Sequence, residues 1–473
     1  MNPSNRGEDW EIYNCHIHTF TMKHSPESFH LWIFSDPKLG RINARKILWN
    51  LCLIGGYFGL LFLLSTAATL LSGRPDRLSQ LGYSFLLLLQ ALLVTPLILL
   101  IGVLLALGAL LVYQAILNLL LKLRSMSQPV QADSTLMKMK KSADRQQKKI
   151  VRSKLLYEVL VRIKPGSNDI FERTARFLKI AEQPTQEEVF LQVQRQYPND
   201  EKVKTRFVVL PMDMTFMKLG TVSASIELQH EELLSLAECY KPQIIPFYAA
   251  DPRHPDIVDR VKNNLVRGKF EGIKIYPSLG YPPDDDRLME IYQLCIEGDF
   301  PVVTHCSPGG IWQYGLSKET RRAYSEPLYY KERILDRPGY SKLKLNLAHF
   351  GGVEEWNKHL QGRNHDEKEQ AWVKTICDMI VCGDYPNLYT DISYTAFTPK
   401  QEGLIIDLID YLKVLLTHPS IRKRVLFGSD YYMVERESVS EKEASILLRS
   451  RLGEKLYKQI AHTNPREFLC IRD

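Results

Sequence analysis

His16 and His18 stand one residue apart in the stretch EIYNCHIHTF, residues 11–20. Ile12, Tyr13, Cys15, Ile17 and Phe20 make this stretch rich in β-branched and aromatic side chains, which predicts a strand. In a strand, residues i and i+2 point to one face, about 7 Å apart at the backbone. Two imidazoles at that spacing reach one metal ion, and imidazole suits zinc, iron, nickel and copper. Taken alone, the pair also reads as two ordinary histidines on a half-buried strand. Further ligands must come from elsewhere in the chain.

The elements that could supply them begin after residue 205. Short apolar runs recur at 206–213, 244–251, 272–277, 301–307, 343–352, 387–394 and 424–432. Helix-length amphipathic segments lie between them, at 256–268, 285–298, 369–383 and 403–416. Near-continuous apolar strands alternating with helices predict a parallel sheet covered on both faces. With the His-x-His strand there are eight strands, and eight β-α units predict an α/β fold, a closed (β/α)8 TIM-like barrel. Its active site would lie at the carboxyl ends of the strands. The polar residues fall where that site needs them: His16 and His18 end the first strand, Lys274 lies in the fourth, and His305 ends the fifth. His349 ends the sixth, Asp391 lies in the seventh and Asp430 ends the eighth.

The motifs HIH (16–18), GIKIYP (272–277), THCSPGG (304–310), AHFGG (348–352) and FGSD (427–430) occur in that order. In this set the chain resembles the amidohydrolase superfamily, in its amidohydrolase-related (type 2) branch. The resemblance covers residues 11–20 and about 205–470, and HTNPREFL (462–469) is similar to the branch's closing helix. It implies a metal-dependent hydrolase with one divalent ion, zinc first and manganese or iron as alternatives, held by His16, His18, His305 and Asp430. Three neutral imidazoles and a carboxylate leave a position open for water, and the ion lowers the pKa of that water toward neutrality. Asp430 would pass the water's proton to the leaving group. His349 would polarise the substrate carbonyl, act as a general acid or base, or bind a second metal.

Other residues keep two readings each. A lysine at the position of Lys274 is carboxylated and bridges two metals in some members of the superfamily; otherwise it contacts an anionic substrate or packs beside the site. Asp391 is a structural hydrogen-bond partner or a substrate contact. Arg253 and His254 bind an acidic substrate or are loop residues. Strand alternation turns Cys15 and Cys306 away from the ligand face, which makes them core residues. The substrate would be a small molecule with an amide, ester, lactone or other C–N bond. The same branch includes decarboxylases and hydratases, and a barrel that has lost activity and serves as a membrane scaffold is a third reading.

The segment 21–205 departs from the family pattern. Residues 47–73 and 78–121 hold no charged side chain, and each run exceeds the roughly 18–20 apolar residues that cross a bilayer. They predict a transmembrane helical hairpin of two spans inserted between strands one and two. The expected organisation is a first strand and loop (1–40), the hairpin (41–123), a basic juxtamembrane linker (124–167) and the remainder of the barrel (168–473). Within it, 177–198 reads as an amphipathic helix returning to the barrel. The net charge is +7, and residues 124–154 alone carry nine Lys or Arg against two Asp. By the positive-inside tendency both outer flanks, and so the barrel, face the cytoplasm, and the basic stretch suits anionic lipid headgroups. No aromatic residue is interleaved with these charges in KMKKSADRQQKK, which argues against nucleic acid. The first 45 residues are polar and mixed, without a signal-peptide pattern. The eight cysteines contain no C-x-x-C pair, so neither a disulfide framework nor a zinc ribbon is expected. A hairpin leaving from the carboxyl end of strand one sets the barrel mouth beside the bilayer, which favours an amphipathic substrate.

Overall fold

The computed structural model of the chain describes residues 10–27, 29, 170–198, 203–361, 370–395, 402–437 and 440–471. The chain divides into two units, Met1–Ile33 with Ser142–Asp473 and Phe34–Lys141, and the described residues all belong to the first. The expected hairpin (41–123) and linker (124–167) lie outside the described residues. Among the described residues no helix is long and apolar enough to cross a membrane.

Nine strand segments fill eight barrel positions: β1 (Trp10–Ile17), β2 (Val203–Val209), β3 (Ile244–Pro246), β4 (Tyr248–Ala249), β5 (Ile273–Ile275), β6 (Val302–Thr304), β7 (Leu345–Leu347), β8 (Leu388–Asp391) and β9 (Val425–Leu426). All pairings between neighbouring strands are parallel, in the orders β1-β2-β3 and β4-β5-β6-β7-β8-β9. β3 and β4 share one position. Phe247, between them, donates its N–H to Val209 O (3.1 Å), and Tyr248 turns to Gly272 O (2.9 Å). The ring closes where Cys15 N–H donates to Phe427 O and Asp430 N–H to His16 O, both at 2.8 Å.

Side chains divide between two apolar layers. Tyr13, Cys15, Val208, Phe247, Val303, Tyr389 and Leu426 pack inside the barrel, with Phe468 of the closing helix against them. Ile12, Ile17, Val209, Ile273, Ile275, Val302, Leu345, Leu347 and Phe427 face outward and pack under the helices. Each fully buried Leu, Ile or Phe contributes roughly 1.5–3 kcal/mol.

β1 departs from strict alternation. Its register against β2 shifts between Asn14 and Ile17. Ile12 is outward, Tyr13 and Cys15 inward, and Ile17 outward, so parity changes along the strand. An irregularity of this kind re-aims side chains, and here it brings His16 and His18, on either side of outward Ile17, into the barrel mouth. It also corrects the expectation for Cys15: the thiol lies inside the barrel, whereas Cys306 joins the outer layer. Both are buried core residues. The expected returning helix is two helices, Ile170–Ala181 and Gln186–Gln194. Pro184 lies at the break, and Thr185 caps the second helix by accepting from Glu188 N–H.

Candidate metal centre

His16 and His18 are held by the same device. His16 Nδ1–H donates to Asp391 Oδ2 (3.1 Å) and His18 Nδ1–H to Leu210 O (2.6 Å). Both acceptors lack protons, so both rings carry hydrogen on Nδ1 and present the Nε2 lone pair. His16 Nε2 is buried without a protein partner among the described residues. His18 Nε2 lies 4.0 Å from Asp430 Oδ1, too far for a hydrogen bond. One ligand atom from each of His16, His18 and Asp430 lies within 4.8 Å of the others. Burial lowers both histidines to a pKa of about 3, so they are neutral. Burial pushes Asp430 up to about 7, against the pull of Lys274. Two oriented, neutral imidazoles facing a dehydrated carboxyl are a donor set that fits a divalent cation, and the anchored Nδ1 atoms are the outer partners such ligands need.

Asp430 reaches this place through a left-handed backbone (φ 56°). Gly428 makes room for the close pass: a Cβ there would lie 2.8 Å from the His16 Cβ. His349 (φ 66°) and Phe350 (φ 45°) are left-handed as well. Such conformations in non-glycine residues store strain and cluster at functional sites.

Asp391 is the hub beneath the histidines. Its Oδ2 accepts from His16 Nδ1 and from Asn346 Nδ2 (2.7 Å). Its Oδ1 accepts from the backbone N–H groups of His349 and Ser393, both at 3.0 Å, and from the Ser393 hydroxyl. Burial works against its ionisation, but His16 and the hydrogen bonds hold it well below the usual carboxylate range. With both oxygens engaged and no exposed surface, Asp391 has nothing left for a substrate, which leaves the structural one of its two readings and corrects the other. With His16 and His349 it forms a second group of mutually close ligand atoms.

His305 lies at the same mouth but outside both groups. Its ring stacks on Tyr276, with centroids 4.3 Å apart. Its Nε2 faces Gly309 O (2.9 Å) and its Nδ1 faces His349 Nε2 (3.1 Å). Three of the four expected ligands are thus gathered. Gly310 (φ 93°) permits the loop that covers the fourth, since a Cβ there would stand 2.6 Å from His305 Cε1. His349 is anchored through Nδ1 to the Ser393 hydroxyl (2.8 Å), and its ring centroid is 4.7 Å from that of His16.

Lys274 is 2% exposed, and its Nζ has no hydrogen-bond partner among the described residues. Burial lowers its pKa to about 8, against the attraction of Asp391 and Asp430. It lines a narrow cavity with Asp213, Asp251, Tyr276 and Tyr281. Arg253 backs the same cavity through Asp251 and Tyr281. Its Nε and Nη2 clamp the Asp251 carboxylate (2.8 and 2.5 Å), and its guanidinium lies over Phe216 and Tyr281. Its charge is paired within the protein, while its Nη1 is buried without a hydrogen-bond partner among the described residues. His254 Nε2 pairs with Asp213 Oδ2 (2.6 Å).

Several positioning residues escaped the sequence reading. Asn14 braces the two strands that carry the histidines and Asp430: its Oδ1 accepts from His16 N–H (3.3 Å) and Ser429 N–H (3.0 Å), and its Nδ2 reaches Ser429 Oγ, Tyr197 Oη and Glu441 Oε1. Asn346 carried a usable signal, as a polar residue between Leu345 and Leu347, and so did Ser393, two residues beyond Asp391. The Leu210 carbonyl left no trace in side-chain chemistry.

The sequence model of the amidohydrolase family matches residues 186–471. Among solved structures, the chain is similar to 5-carboxyvanillate decarboxylase from Novosphingobium aromaticivorans, complexed with manganese, at 12% identity and a TM-score of 0.41, covering 66% of this chain and 86% of that one. It is also similar to 4-oxalomesaconate hydratase from Rhodopseudomonas palustris, at 16% identity and a TM-score of 0.39, covering 60% and 80%. A TIM-barrel protein from Bordetella bronchiseptica is similar at 16% identity and a TM-score of 0.40, covering 63% and 89%. No curated protein matches the chain.

Proposed function

Because the chain belongs to the amidohydrolase family, we propose that it is a membrane-anchored, metal-dependent hydrolase acting on an amide, ester, lactone or other C–N bond. The observation that carries this reading is the matched anchoring of His16 and His18, which leaves two Nε2 lone pairs facing Asp430. These three residues would hold one divalent ion, zinc first, with manganese or iron as alternatives. His305 would join them once its Nε2 leaves Gly309 O. Such an ion supplies Lewis acidity and makes a water nucleophilic near neutral pH.

The remaining steps belong to the chain. Asp430 accepts the proton of the attacking water and returns it to the leaving group. His349, whose Nδ1–H is held by Ser393, presents the Nε2 lone pair and acts as a general base toward the substrate. Lys274 offers an unpaired, buried ammonium to an anionic group of the substrate. Asp391 and Asn14 act as positioning residues, the first through the His16 ring and the second through the backbone of β1. The apolar runs 47–73 and 78–121 support a two-span anchor with the barrel on the cytoplasmic side. An exit from the carboxyl end of β1 supports a mouth beside the bilayer and an amphipathic substrate.

The test is elemental analysis of the full chain purified in detergent, followed by turnover of matched amides, esters, lactones and carboxylic acids, with carbon dioxide release followed in parallel. One equivalent of metal with hydrolysis and no carbon dioxide is the expected result. Carbon dioxide release from the acids would replace hydrolysis with decarboxylation. Protein without metal would remove the enzyme reading altogether. Long-chain substrates should be preferred to short-chain ones, and a profile independent of chain length would leave the hairpin as an anchor alone.

A further inference from the structure

We propose that Lys344 and Cys470 form a peroxide-driven, thiol-reversible covalent cross-link, an N–O–S bridge, at the amino-terminal end of the barrel. Lys344 immediately precedes β7, and Cys470 follows the closing helix Asn464–Phe468. Lys344 Nζ and Cys470 Sγ lie 2.6 Å apart. Hydrogen bonds from nitrogen to oxygen span about 2.7–3.2 Å. Sulfur is the larger atom, so an ordinary N–H···S contact is longer still. The amine and the thiol are therefore in direct contact, at a separation that one bridging oxygen atom spans.

The surroundings favour this pairing. The Lys344 side chain is 8% exposed, with Nζ also 2.7 Å from Asp299 Oδ1. Cys470 Sγ lies 3.0 Å from Asp299 Oδ2. Asp299 and Cys470 both hold left-handed backbones, at φ 55° and 57°, so the thiol and the carboxylate are brought to the amine by a fixed and disfavoured geometry. An open cavity lined by Asn387, Tyr389, Arg466 and Glu467 adjoins the pair and admits a small oxidant. Burial and Asp299 raise the pKa of the thiol, and Lys344 opposes them. Oxidation should therefore quicken as pH rises above neutrality and the thiolate fraction grows.

Two peroxide molecules balance the chemistry. The first takes two electrons from sulfur, converts the Cys470 thiol to a sulfenic acid and releases one water. The second takes one hydrogen from the sulfenic O–H and one from the neutral Lys344 amine. The N–O bond forms, and two waters leave. Four thiol molecules reverse the process, giving two disulfides, one water, the free amine and the free thiol.

The full chain in detergent is treated with hydrogen peroxide at mildly alkaline pH, digested and mapped by mass spectrometry. The expected product joins the peptides containing Lys344 and Cys470, heavier than their sum by one oxygen less two hydrogens. It should vanish after thiol reductant. It should be absent from Cys470→Ser and from Lys344→Arg, the second of which keeps the charge beside Asp299. Exposed Cys239 and Cys382 make no hydrogen bond to a lysine among the described residues, and they should oxidise without lysine linkage. A joined peptide lacking the oxygen would overturn the bridge, as would Cys470 sulfinic or sulfonic acid with Lys344 unmodified.

Discussion

At the carboxyl ends of the strands His16 Nε2 and Lys274 Nζ are buried without a hydrogen-bond partner among the described residues, whereas at the amino ends the long cations meet carboxylates. Lys344 pairs with Asp299 (2.7 Å), Arg424 with Glu467 (3.0 Å) and Arg206 with Glu11 (2.8 Å). Left-handed backbone occurs at both ends, at His349, Phe350, Tyr394 and Asp430 near the mouth and at Asp299 and Cys470 at the amino end, so the unpartnered groups set the mouth apart. A buried polar group without a partner costs free energy, and so does a strained backbone. Unpartnered nitrogen atoms gathered among candidate ligands at one rim of the barrel mark the place where stability is given up for a ligand. The amino end closes and stabilises the barrel, and substitutions there should leave the metal centre alone.

The sharpest way to break that contrast is at the centre itself. His16→Ala and His18→Ala should each take metal content from one equivalent to near zero by elemental analysis, with turnover at background and the far-ultraviolet circular dichroism unchanged. Retained metal in both variants would mean that the Nε2 atoms of this pair serve no ion.

The next effect concerns Glu441, at the start of the helix Glu441–Leu452. It is fully buried behind Asn14, and burial raises its pKa from an ordinary 4.5 to about 8. Between those two values the unfolded carboxyl is ionised while the folded one keeps its proton. The folded state then binds more protons, so stability falls as pH rises through the window. Glu441→Gln should remove this decline, with wild type losing on the order of a few kcal/mol relative to the variant from pH 4.5 to 8. Chemical denaturation at both pH values measures it. Parallel profiles would show that Glu441 carries no extra proton.

Why the mouth was largely legible, and its scaffolding less so, follows from what a sequence displays. His305, His349 and Asp430 end apolar runs, and Lys274 interrupts one, so their type and position show in the chain. The structure places all of them, with His16 and His18, at the carboxyl ends. The barrel followed from eight apolar runs separated by helix-length segments. The change of parity in β1 was illegible, because NCHI alternates as well as any strand and the register shift depends on its pairing with β2. The contact between His305 and Gly309 O depends on a loop conformation that Gly310 permits and does not dictate. Asp391 looked open to substrate because its partners, Asn346 and Ser393, become visible only in three dimensions.

Asp391→Asn tests the hub with a smaller expected effect. Five donors converge on its two oxygens. An amide would turn its own N–H groups toward one set of them, so the near-isosteric change cannot preserve the network. The His16 ring then loses its anchor. Metal affinity should fall about 10–100-fold, the usual effect of removing an outer partner. Competition with a chelator measures it, and unchanged affinity would show that Asp391 does not orient His16.

Glu467→Gln at the opposite end should have the smallest effect. The Glu467 side chain is 54% exposed and its ion pair is with Arg424. Pairs this exposed contribute about 0.2–1 kcal/mol. Arg424 keeps a second hold after the change, since its Nη1 donates to Tyr389 Oη (2.5 Å) and its guanidinium lies 4.7 Å from that ring centroid. Tyr389 in turn packs against Phe468, with centroids 5.1 Å apart, so the apolar closure of the barrel does not depend on the carboxylate. The melting temperature should therefore shift by no more than about 2 °C, and metal content and turnover should match wild type. A loss of metal in this variant would mean that the two ends are coupled through β8, from Tyr389 to Asp391 two residues along, and the amino end could no longer be treated as a separate, stabilising region.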